Sequence, residues 1–65
     1  MKAIFVIHED SGKWEFIKTI KDISEKFPEL KKVQPIASRR FREHKKTSKT
    51  FMFREWGYRF YYTNE

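Results

Sequence analysis

The chain has 65 residues, of which 18% are aromatic and 37% charged, and it carries a net charge of +6. That length allows one small domain with a single core, which buries only about 60% of the surface of the unfolded chain. The absence of cysteine excludes disulfide frameworks, thiolate zinc sites and cysteine nucleophiles together, and no stretch approaches the roughly 20 apolar residues of a membrane span.

Lys2 to His8 is β-branched and aromatic. Ile4 and Val6 fall on one face of a strand, Phe5 and Ile7 on the other. The run is too short for a signal-peptide core and is followed by acids, so it reads as a strand. Glu9-Asp10-Ser11-Gly12 is a turn cluster, with Gly12 free to take a positive φ. Lys13 to Ile17 alternates again, with Trp14 and Phe16 on one side. Residues 2–18 therefore predict a β-hairpin.

Thr19, with Asp22 three positions on, is a helix start. Ile20, Ile23 and Phe27 follow on one helical face. Pro28 ends the helix, because the residue before a proline avoids the α region. The first helix is predicted over 20–27, and residues 29–33 read as a turn with a helical half-turn at Leu30. Pro35 suits the first position of a second helix over 35–46, where its missing N–H costs nothing. Ile36, Ala37 and Phe41 are expected to face the core, with Val33 leading in and His44 at the far edge. Ser38, Arg39, Arg42, Lys45 and Lys46 cover the outer face. Arg39, Arg42 and Lys46 form a stripe on it. Arg40 points more to the side, towards a phosphate or a structural pair.

Thr47-Ser48-Lys49-Thr50 reads as a linker. Phe51 to Phe53 opens an aromatic segment, Arg54-Glu55-Trp56-Gly57 a tight turn, and Tyr58 to Tyr62 a closing strand. Alternation puts Tyr58, Phe60 and Tyr62 on one face of that strand, Arg59 and Tyr61 on the other. Residues 63–65 are expected to fray. The sum is an α+β single domain over 1–65: an N-terminal β-hairpin, two short helices in helix-turn-helix-like order, and a C-terminal aromatic strand or hairpin.

The charge is concentrated. Residues 31–50 hold eight lysines and arginines against the single acid Glu43, a net of +7. Residues 1–30 carry five cations and six acids, and residues 51–65 two of each. Such a one-sided field attracts polyanions. In a helix-turn-helix the second helix enters the major groove, and arginine pairs with guanine there. Lys31, Lys32, Ser38, Arg39, Arg40, Arg42, Lys45, Lys46 and Lys49 are the candidate nucleic-acid contacts, with Lys45, Lys46 and Lys49 on phosphates. A plain solvated helix face is the alternative for the stripe, and the +7 segment tips the balance to duplex DNA.

The aromatic segment has two readings. Phe51, Phe53, Tyr58 and Phe60 are expected in the core, with Trp56 the exposed ring. Alternatively Tyr58, Tyr61 or Trp56, with Arg59 beside them, stack on unpaired bases of a single strand or RNA. A protein-binding inhibitor or adaptor of host machinery, using residues 51–62, is the reading from another class. His8 and His44 show no metal-ligand spacing. Glu9 and Asp10 are adjacent, so they point apart and shape the turn instead of working as an acid–base pair. No phosphate-loop or zinc-protease motif is present. Neither catalysis, a metal nor a cofactor is expected. A cytoplasmic location agrees with the lack of cysteine, and no membrane partner is expected.

VIHEDSG with the aromatic strand after it, then TIKDISEKF, IASRRFREH and WGYRFYY, resembles the intron-encoded nuclease repeat, a NUMOD-type helix-turn-helix module. The likeness runs over about residues 4–62. It implies that Thr19 caps the first helix, that Ile20 and Phe27 are core positions, and that Gly57-Tyr58 opens the closing strand. It implies that Ser38, Arg39 and Arg42 meet DNA. Pro28 and the segment TSKTFMFREW lie outside that pattern, and no nuclease motif accompanies it. The resemblance implies a DNA-binding unit without a cutting domain, such as a small phage or mobile-element regulator.

Overall fold

The period-two runs pair into one antiparallel sheet. A computed structural model describes residues 2–64. In it, β1 (Lys2–His8), β2 (Trp14–Ile17), β3 (Thr50–Glu55) and β4 (Tyr58–Asn64) lie in the order β2-β1-β4-β3. The first and last strands are therefore central neighbours, with Val6 opposite Phe60 and Ile4 opposite Tyr62. Each edge strand is half of a hairpin. Gly12 closes the first at φ 75°, and Trp56 and Gly57 form a two-residue turn at φ 56° and 77°. Two successive positive φ values match the right-handed twist of the flanking strands. Tryptophan carries a steric cost there that glycine avoids.

The helical segments cross one face of this sheet. A 3-10 turn (Ile20–Asp22) runs into the short helix α1 (Ile23–Lys26). The Asp22 carboxylate accepts a hydrogen bond from the Thr19 N–H at 3.3 Å, the return arm of a capping box. Phe27, at φ −128° and ψ 83°, breaks the helical path in front of Pro28. A 3-10 segment (Pro28–Val33) then leads directly into α2 (Gln34–Lys45), with Pro35 in its first turn. The predicted turn at 29–33 is thus a full 3-10 segment, and α2 starts one residue earlier than expected.

The α+β architecture is the one the sequence predicts. Ile4, Val6, Ile17, Tyr58, Phe60 and Tyr62 from the sheet meet Ile23, Phe27, Leu30 and Phe41 from the helical side in one core. Phe51 and Phe53 pack partly buried against it. The Phe41 ring lies 5.8, 5.1, 6.1 and 6.2 Å from the rings of Phe51, Phe53, Phe60 and Tyr62. His44 stacks on Phe51 and Phe53 at the rim.

Three expectations are corrected. Ile36 is 42% exposed, not core. Ala37 and Phe41 fix the rotation of α2, and a residue one position before Ala37 is turned about 100° away. Thr50 belongs to β3, not to a linker. Thr63 and Asn64 continue β4, held by pairing with Ala3 and Lys2 and by the Asn64 N–H to Lys49 carbonyl bond at 2.8 Å. Glu65 lies outside the described residues.

Phe41→Ala is expected to remove about 3–5 kcal/mol, which is most of the stability available to a domain this small. Ile36→Ala should stay within about 0.5 kcal/mol. Thermal melts followed by circular dichroism check the pair. Equal losses would contradict the placement of Ile36.

Candidate nucleic-acid interface

With Phe41 inserted in the sheet, helical geometry turns Arg39, Arg42 and Lys46 to the opposite side of α2. All three side chains are exposed, as are Lys31, Lys32, Lys45 and Lys49. Among the described residues none of these seven has a carboxylate within ion-pair distance. The predicted stripe exists as a free, outward set of cations.

Two predicted residues are engaged elsewhere. Arg40 sits on the flank of α2, and its Nε donates to Glu55 Oε1 of β3 at 3.0 Å. This is the structural pair that its sideways position allowed. Ser38 is half-buried on the other flank, and its hydroxyl accepts from Gln34 Nε2 at 3.3 Å. The same Gln34 nitrogen donates to the Ile20 carbonyl at 2.7 Å, tying α2 to the first helical turn. Lys45 is also partly committed, because its ammonium lies 5.0 Å over the Tyr62 ring. Burial there, with Lys2 nearby, lowers its pKa from the ordinary lysine value.

Lys31 and Lys32 ride on the 3-10 segment, which Glu29 anchors. The Tyr58 hydroxyl donates a short hydrogen bond to Glu29 Oε2. That bond holds the Glu29 carboxyl below the usual carboxylate range. Burial, and then the bond to Glu29, push the Tyr58 phenol up to about 12. His8 Nδ1 is hydrogen-bonded to Ser11 Oγ at 2.7 Å inside the first turn, a local structural use for that histidine. Among the described residues no group of three metal-ligating side chains forms, and no helix is long and apolar enough to cross a membrane.

The helices leave the second face of the sheet uncovered. Register places Phe5, Ile7, Trp14, Phe16, Tyr61 and Met52 there. Trp14 is 55% and Phe16 64% exposed, against 38% for Trp56, so the most exposed rings stand on β2 and not in the C-terminal turn. Arg54 and Arg59 share this face. Glu9 Oε2 accepts from Arg54 at 2.9 Å and from Arg59 at 3.0 Å, and the Arg59 bond is the main cause of the lowered Glu9 pKa. The signal for this face was in β1, where Ala3-Ile4-Phe5-Val6-Ile7 is apolar on both sides of the pleat. An antiparallel strand with one wetted face alternates instead.

Compared with protein-family models, curated proteins and solved structures, the chain matches none.

The Glu29–Tyr58 bond has a pH signature. The folded carboxyl titrates below its ordinary value of 4.5. Its stabilising contribution is therefore full above about that pH and fades as the pH falls through the folded pKa. Tyr58→Phe is expected to lower the melting temperature at neutral pH and to flatten its decline towards pH 3. Melts across that range check it, and parallel curves for the two proteins would contradict the role given to this bond.

Proposed function

We propose that this chain is a small DNA-binding protein that lays the outer face of α2 on duplex DNA. The observation that carries the reading is the set of exposed cations from Lys31 to Lys49 that lack acidic partners among the described residues. A cation neutralised by a carboxylate of its own gains less from phosphates. Free ones release condensed counterions when they neutralise a nucleic-acid backbone. Arg39 and Arg42 are the base-reading candidates on the central stripe, and Lys31, Lys32, Lys46 and Lys49 the phosphate contacts. Arg40, held by Glu55, serves α2 docking in this reading. Ser38, held by Gln34, does the same. Lys45 contributes charge from the rim.

The likeness to the intron-encoded nuclease repeat favours the same face. Together they suggest a regulator of the kind carried by phages or mobile elements, acting in the cytoplasm by binding, without catalysis. The protein-adaptor alternative draws on the aromatic hairpin 51–62. Phe51, Phe53, Tyr58, Phe60 and Tyr62 of that hairpin belong to the core or pack on it, which leaves it few free side chains.

About four to six phosphate contacts give a slope of log K against log salt of roughly −4 to −5. Anisotropy titrations with a labelled random duplex over a salt series measure it. A slope near zero, or no binding at low salt, would refute the proposal. Lys46→Ala should make the slope shallower by about one unit on any sequence. Arg39→Ala and Arg42→Ala should each cost about 1–3 kcal/mol on a selected site and less on random duplex. Equal losses on both sequences would reduce α2 to an electrostatic anchor.

A further inference from the structure

We propose that the uncovered face of the sheet is a second nucleic-acid surface, one that binds single strands by stacking their bases on Trp14 and Phe16, which the Phe5–Tyr61 pair backs. The fold does not explain these rings. Trp14 and Phe16 are more than half exposed on an edge strand, where burial stabilises the domain little. A contiguous apolar patch on a small protein marks an interaction surface.

The rings are held in a fixed array. Phe5 and Tyr61 stack at 4.7 Å and 12°. Phe16 meets Phe5 edge-on at 5.7 Å, and Trp14 meets Phe16 edge-on at 5.4 Å. The row runs from β2 across β1 to β4, and Trp14 and Phe16 are its most exposed rings. Arg54 and Arg59 stand on the same face, both exposed and both steadied by Glu9. The three charges leave a net positive unit beside the rings.

Charge selects the occupant. A second copy docked through the same face would set its own net positive arginine cluster against this one, and like charges oppose that association. A ligand that alternates flat aromatic units with anions matches both the rings and the arginines. Single-stranded nucleic acid has that chemistry, and stacking of this kind tolerates any base. A duplex hides its bases, so the two faces of the protein would take different forms of nucleic acid. This proposal does not depend on α2.

Trp14 reports the event directly. In a Trp56→Phe background it is the sole tryptophan. Its fluorescence is titrated with oligo-dT and oligo-rU about 12 nucleotides long, a length within the usual range of single-strand sites. The two arms tell DNA from RNA as the strand that is held. An abasic oligomer of equal length and charge is the control. The expected result is saturable quenching by a strand with bases, and binding at least about tenfold weaker for the abasic strand. Binding is followed by anisotropy for the ring variants. Phe16→Ala and Trp14→Ala should each weaken it about fivefold or more, and Phe16→Tyr should retain it. Both sites are exposed, and circular dichroism verifies folding. The triple variant Arg39→Ala/Arg42→Ala/Lys46→Ala should bind duplex far more weakly yet keep the preference for bases over abasic strand. Equal affinity for abasic strand and oligo-dT overturns the proposal. So does unchanged affinity in Phe16→Ala, or a dimer in sedimentation that Phe16→Ala abolishes.

Discussion

The Phe41 ring is fully buried where α2 crosses the sheet, in contact with rings from both β3 and β4. A helix docked through one large side chain has its rotation fixed, since every other residue follows at about 100° per position. Arg39, Arg42 and Lys46 point outward because Phe41 points inward. The Arg40–Glu55 pair holds the middle of the same helix, and the Gln34 bond to the Ile20 carbonyl holds its N-terminal end. The ion pair alone is weak at an exposed surface, whereas the Gln34 bond is part-buried. Their effect is to keep α2 from rolling on its aromatic pivot.

That pivot also explains the two-sided character of the molecule. Helices cover one face of a four-stranded sheet, and the terminal strands β1 and β4 occupy its centre. The basic residues lie on the outside of the helical layer, and the uncovered rings lie beyond the sheet. Core and backbone separate the two. A protein with one recognition surface and a conventional wetted sheet would alternate polar with apolar along β1. This chain does not, and the departure is the feature that the core does not account for.

Much of this was legible in the sequence, for identifiable reasons. The hairpin at 2–18, the stop at Pro28, the Thr19–Asp22 cap and the outward Arg39–Arg42–Lys46 stripe all follow from local chemistry of single turns and periods. Ile36 falls outside the core because periodicity gives the width of an apolar stripe but not its centre, which Phe41 sets only on docking. The 3-10 segment at 28–33 resembles a simple turn in the sequence because its stability comes from Leu30 burial and the Glu29–Tyr58 bond, a pairing across 29 positions. The open aromatic face was missed for a related reason. Strand alternation assigns side chains to two faces, but only tertiary packing decides which face the helices cover. With Phe5 and Ile7 on one side and Ile4 and Val6 on the other, either face could have become the core.

The central claim is that duplex DNA meets the outer face of α2. The most direct measurement is an amide chemical-shift titration of the labelled protein with a short duplex at low salt. The account predicts perturbations at residues 31–49, strongest around Arg39, Arg42 and Lys46, with β1 and β2 little changed. Perturbations confined to Phe5, Trp14, Phe16 and their neighbours, or none at a saturating duplex concentration, would contradict it.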